Sequence, residues 1–114
     1  MGIEYEDIDG NFRRISLSGR LDIQGTSEIE LKFTTLTAAA QRRVVVDLTA
    51  VDFLASIGIR ALIGNAKALH QRQGRMVLVV APGSSVAKSL ETSGIDTFVG
   101  VFTDNDEAKK AALS

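Results

Sequence analysis

The sequence predicts an α/β domain: one mixed β-sheet, opened by an antiparallel hairpin, extended by βαβ crossovers and covered by about four helices. Three observations predict it. Two strand-like segments, Ile3 to Ile8 and Phe12 to Ser18, flank the turn dipeptide Asp9-Gly10. Two apolar runs, Val44-Val45-Val46 and Met76 to Val80, do not alternate, as suits strands covered on both faces of a parallel sheet. Between those runs Ile59, Leu62, Ile63, Ala66 and Leu69 recur at helical spacing, which makes the segment one βαβ unit.

Taken in order, the hairpin comes first. Asp9-Gly10 tolerates the positive φ that tight hairpin turns require. Gly19 breaks the second strand and leaves Arg20-Leu21-Asp22 in the loop after it. Ser27-Glu28-Ile29-Glu30 has the form of a capping box, and Ile29, Phe33, Leu36 and Ala40 share one face, so the first helix covers about 27–40. Strand 43–48, helix 56–73 and strand 75–80 follow, with Gly74 placed as the glycine that ends the helix. Ser84 or Ser85 caps a short third helix that turns Val86 and Leu90 inward and stops at Gly94. Phe98 to Phe102 forms a last short strand. Asp104-Asn105-Asp106-Glu107 caps a terminal helix carrying Ala108, Ala111, Ala112 and Leu113. There is no internal repeat, linker or low-complexity stretch, and the 114 residues make one domain, 1–114.

Composition narrows the function. No cysteine is present, which removes disulfides and thiolate metal sites, and one histidine is too few for an imidazole-based zinc site. The net charge is −1 with Lys and Arg dispersed, so nothing favours nucleic acid. The N-terminal segment from Met1 to Asp7 is acidic and lacks a signal peptide's apolar stretch, and Glu6 stands where a myristoylation motif needs Ser or Thr. No apolar run approaches the ~20 residues that span a bilayer. The expectation is a cytoplasmic protein without cofactor.

In open α/β sheets the loops leaving the carboxyl ends of strands carry function. Two stand out, Gly19 to Gly25 and Thr49 to Gly58. Within the second, Ser56 lies at the mouth of a helix. Its hydroxyl reads either as an N-cap that accepts from a first-turn amide or as an exposed group on the binding edge. A phosphate placed there would gain from the helix amides and dipole and would change the local charge by roughly −2. Gly58 lets another backbone come close. Asp22 reads equally as a turn residue bonding its own backbone or as a surface carboxylate.

Catalysis finds no such support. Ser56 is not in a Gly-x-Ser-x-Gly elbow. His70 sits about four helical turns away, near 20 Å, too far to activate it, and reads as a solvated residue. The stretch Gly83-Ser84-Ser85-Val86-Ala87-Lys88-Ser89 lacks the glycine before lysine that a phosphate loop needs, although its amides could hold an adventitious anion. Asp22, Asp47 and Asp52 read as turn formers before they read as a weak magnesium site, and Arg13-Arg14 and Arg42-Arg43 as strand-flanking surface charges. No catalytic residue or metal ligand is assigned.

Asp47-Leu48-Thr49 followed by Val51-Asp52-Phe53-Leu54-Ala55-Ser56-Ile57-Gly58-Ile59 resembles the signature of STAS domains, and Gly19-Arg20-Leu21-Asp22 matches their other motif. The order of elements fits over essentially the whole chain, which implies a single-domain STAS-like fold. A domain of this length resembles the bacterial anti-sigma factor antagonists. The resemblance implies a partner anti-sigma factor that is also a serine kinase, phosphorylation of Ser56 that ends binding, and a serine/threonine phosphatase that restores it. It places Asp22, Ser56, Ile57, Gly58 and Ile59 at the partner surface. The better-known antagonists carry Asp-Ser-Ser-Gly-Leu where this chain has Ala55-Ser56-Ile57-Gly58-Ile59, and Arg60 stands where a small residue is common. Two alternatives accompany this expectation: a constitutive STAS scaffold in a sensory complex or lipid-transport system, and a small-ligand sensor of nucleotides.

Overall fold

The computed structural model describes residues 2–114; Met1, where the N-terminal segment read above begins, lies outside them. Strands β1 (Ile3–Asp9) and β2 (Phe12–Leu21) form the hairpin. Then come α1 (Ile23–Thr37), β3 (Arg43–Leu54), α2 (Ser56–Gln71), β4 (Arg75–Val79), α3 (Ser85–Ser93), a 3₁₀ turn at Ile95–Thr97, β5 (Gly100–Phe102) and α4 (Asn105–Leu113). The five strands lie side by side in chain order. β1 is antiparallel to β2, and every other pairing is parallel. The expected α/β architecture is the observed one.

The sheet is covered on both faces, as the unbroken apolar runs required. Phe33 and Leu36 of α1, Leu62 and Ala66 of α2 and Leu90 of α3 pack with Val44, Val46 and Leu78 on one face. On the other, Ala108 and Ala112 of α4 cover Phe12, Val45 and Val77. Phe33, wholly buried, contributes about 1.5–3 kcal/mol by leaving water. No helix among the described residues is long and apolar enough to cross a membrane.

Several boundaries differ from the sequence expectation. The hairpin turn, Gly10-Asn11, uses no positive φ. A register shift between Asp7 and Asp9 takes up the twist instead. Gly19 does not end β2; at φ +84 it makes an irregularity that the strand passes through. β3 runs six residues past Leu48, to Leu54, because β2 continues beside it as far as Leu21 opposite Leu54. From Ser16 to Ser18 the partner advances from Asp47 to Ala50, and from Gly19 to Arg20 it advances from Val51 to Phe53. β3 therefore carries one extra residue at each place.

α1 starts at Ile23, not Ser27, and ends at Thr37, which leaves Ala40 exposed outside it. Its cap is Asp22, and the Ser27 capping box is not used. α2 ends at Gln71, two residues early. The left-handed residue after it is Gln73 (φ +68), and Gly74 follows as the donor to Leu69 O at 2.9 Å. Glycine is required at 74 for a different reason: a Cβ there would lie 2.5 Å from Arg42 O. Ser84 and Gly94 bound α3 as expected, and Asp104 caps α4. The last strand shortens to Gly100–Phe102 because Ile95–Thr97 turns as 3₁₀ helix, and Leu113 is exposed.

Candidate functional site

The two loops singled out in the sequence meet because β2 and β3 are parallel neighbours that end together. The Ala55 N–H donates to Leu21 O at 3.0 Å, which ties the end of one strand to the start of the helix after the other. Each strand passes directly into a helix, so the helix N-termini of α1 and α2 lie side by side at one edge of the sheet.

At the first of these, Asp22 is the N-cap. Its Oδ1 accepts from Gly25 N–H at 2.8 Å, and its Oδ2 lies 3.5 Å from Arg20 Nε. The Gly25 amide, with Arg20 beside it, holds this carboxyl below its usual value. The chain reverses so tightly here that a Cβ on Gly25 would meet Arg20 O at 1.8 Å. The backbone-bonding reading of Asp22 is the one observed, and the residue stays partly exposed.

At the second, the structure shifts the cap by one residue. Ala55, with extended backbone, is the N-cap of α2 and offers no side chain to the helix. Ser56 is the first helical residue and is exposed, and its hydroxyl caps nothing. The first intrahelical bond runs from Ile59 N–H to Ala55 O at 3.1 Å. The amides of Ser56, Ile57 and Gly58 precede it and have no acceptor within the helix. A helix start without a side-chain cap, beside an exposed hydroxyl, favours negative charge.

The remaining expected residues divide. Ile57 and Ile59 are half-buried, and Ile59 packs against the core. Gly58 is buried, and the backbone it admits belongs to this chain: a Cβ would meet Leu54 Cδ1 at 2.8 Å and Leu21 O at 3.0 Å. It packs beneath the start of α2, against the end of β2. Asp47 is buried in β3; its Oδ1 accepts from the Thr49 amide and hydroxyl, and its Oδ2 from Arg14 at 2.5 Å. Burial pushes the Asp47 carboxyl up, but the Thr49 and Arg14 bonds outweigh it and leave it lowered. Both oxygens are thus engaged, and Asp47 joins β2 to β3. Asp52, further along β3, is exposed. Arg13 pairs with Asp7 at 2.6 Å and with Leu36 O, so both arginines serve the fold. His70 is half-buried, not solvated, and its Nε2 accepts from Met76 N–H at 3.4 Å.

The structure adds residues that sequence reasoning passed over. The Arg20 guanidinium lies 4.5 Å from the centre of the exposed Phe53 ring, bridging the two motifs. Ile23, next to Asp22, is 73% exposed, an apolar side chain at the rim of the site. An isoleucine directly after a capping aspartate could have flagged it, had the helix start been placed at Asp22. An open groove of about 620 Å³ runs from Phe53 and Ser56 to Lys88 on α3.

Comparison with known proteins identifies the family and agrees with the fold. The profile described as the STAS domain matches residues 3–108. BtrV of Bordetella bronchiseptica is 30% identical over 114 residues, covering 100% of this chain and 94% of that protein. The anti-sigma-F factor antagonist RsfB of Mycobacterium tuberculosis is 27% identical over 94 residues, 82% of this chain and 75% of that one. Among solved structures, an anti-sigma factor antagonist from Mycobacterium paratuberculosis superposes with a TM-score of 0.85 at 24% identity, over 98% of this chain and 93% of that one.

Proposed function

The chain belongs to the STAS domain family, and from that premise we propose that it is an anti-sigma factor antagonist gated by phosphorylation of Ser56. Its partner is an anti-sigma factor with serine-kinase activity, and a serine/threonine phosphatase resets it. It acts in the cytoplasm as a binding regulator without chemistry of its own. The observation that carries this reading is Ser56 itself: exposed, one residue inside a helix that lacks a side-chain cap, and next to Asp22 on the same edge.

The position of Ser56 supports a modification that acts without refolding. The Ser56 Oγ forms a bond to the γ-phosphorus of ATP as the bond to ADP breaks, and the hydroxyl proton passes to the kinase's base. Hydrolysis by the phosphatase returns serine and inorganic phosphate. The added charge of roughly −2 sits at the positive end of α2, which stabilises the helix and does not melt it. What changes is the surface a partner meets: Ile23 and Phe53 offer apolar contact, and the phosphate adds a negative charge to the same edge, which a docked partner would have to desolvate.

The test is to incubate the protein with its cognate kinase and ATP and to map the modified residue by mass spectrometry. Ser56→Asp is expected to lose partner binding while circular dichroism and melting stay near the parent's. A variant that binds as tightly as the parent overturns the gating. One observation favours a second reading, a constitutive interaction subunit: Ala55 and Ile57 flank Ser56 with apolar side chains where the better-known antagonists carry an acid and a second serine. A protein that binds its partner but is never phosphorylated would be that subunit.

A further inference from the structure

Ser56 shares its groove with one wall of α3, formed by Ser85, Lys88, Ser89 and Thr92. No carboxylate lines this groove. Lys88 is exposed and takes part in none of the ion pairs among the described residues. Its backbone is fixed: Ser84 Oγ accepts from Ala87 N–H at 3.1 Å, and Lys88 N–H donates to Ser84 O at 3.1 Å. α3 also begins at the groove, at Ser85, so two helix starts and one ammonium border the same space. A sequence of −1 net charge has thus placed an unpaired cation and several hydroxyls, and no acid, opposite the serine.

We infer that Lys88 is the counter-charge for a phosphate on Ser56, so that the phosphoryl group turns into the groove between α2 and α3. The ammonium and the free amides at the start of α2 then hold it from two sides. Lys88 is a positioning residue: it takes no part in the transfer and fixes where the product's charge rests. In the unmodified protein the groove stays open with an unpaired cation, fit for an acidic side chain of the partner. In the modified protein the phosphate occupies both. Two other cations compete: Arg60, four residues after Ser56 on α2, and Arg20, stacked on the groove-lining Phe53; neither lines the groove, and Arg20 is already paired with Asp22 at 3.5 Å. This inference rests on the phosphorylation reading above.

The experiment uses the full chain with phosphoserine installed at position 56 during translation, followed by phosphorus NMR across pH at low salt, where screening is weak. The second ionisation of the phosphate is expected below its usual value of about 6. Lys88→Gln is expected to raise it by roughly 0.5–1 unit, and Arg60→Gln by less. Circular dichroism checks that both exposed-site variants stay folded. An unchanged value in Lys88→Gln, or a larger shift in Arg60→Gln, overturns the assignment. Neither kinase nor partner enters this measurement, so its failure leaves the gating reading standing. A kinase that ignores Ser56 would sink that reading without touching the titration.

Discussion

At Ser56 the hydroxyl sits one residue inside its helix, and this changes how the site can be probed. A cap lost to alanine costs about 1 kcal/mol, but the Ser56 hydroxyl caps nothing. Ser56→Ala is therefore expected to keep stability within about 0.5 kcal/mol of the parent in urea unfolding. A loss of partner control in that variant then reports the missing acceptor. A drop near 1 kcal/mol would show that the hydroxyl caps after all. The neighbour makes the complementary case. Ala55 has the extended backbone of an N-cap (φ −86°, ψ 169°) and no side chain to use it. Ala55→Asp is expected to add about 0.5–2 kcal/mol, and an unchanged urea midpoint would contradict the assignment.

At the scale of elements, the edge that carries Asp22 and Ser56 consists of two helix starts set by two parallel strands. α1 depends on Asp22 for its first turn, through the bond to Gly25. Asp22→Ala is expected to cost about 1 kcal/mol, whereas Asp22→Asn keeps an acceptor for the Gly25 amide and costs only a fraction of that. If both variants lose equally in urea unfolding, charge and not capping is what Asp22 supplies. The pair also separates the two roles of the residue: partner affinity lost in the asparagine variant belongs to the charge. The Arg20–Phe53 stack and the Leu21–Ala55 bond carry the same logic, since each fixes one motif against the other.

For the molecule as a whole, the half-buried His70 and the buried Asp47 contribute to how stability follows pH. Burial, with Arg75 beside it, lowers the His70 imidazole from its usual 6.5, and its Nε2 must stay unprotonated to accept from Met76 N–H. As pH falls through 6.5 the unfolded chain takes up the proton first. Stability is therefore full above 6.5, declines below it, and levels off once the folded protein protonates too. Asp47, lowered from 3.8, adds stability that is complete above 3.8 and lost as pH falls through its folded value. Urea midpoints measured across pH are expected to show the first decline, and His70→Gln is expected to abolish it while the acid limb remains. A midpoint that does not change between pH 7 and 5 in the parent would contradict the histidine assignment.

The sequence by itself determined the order of elements, the parallel βαβ core and which two loops leave the carboxyl ends of β2 and β3, because these follow from short-range pattern. Unbroken valine runs demand cover on both faces, the Ile59-to-Leu69 stripe demands a helix, and Ser84, Gly94 and Asp104 act on their own first or last turns. Only the tertiary structure decided where elements stop. β3 reaches Leu54 because β2 supplies hydrogen-bond partners that far, and α1 begins at Ile23 because Asp22 turns the chain under Arg20. A strand's end is a property of its neighbour, which local residues do not encode. The same reason moved the cap from Ser56 to Ala55: with Ala55 N–H bound to Leu21 O, the helix starts one residue earlier, at Ser56, and the serine hydroxyl is left free.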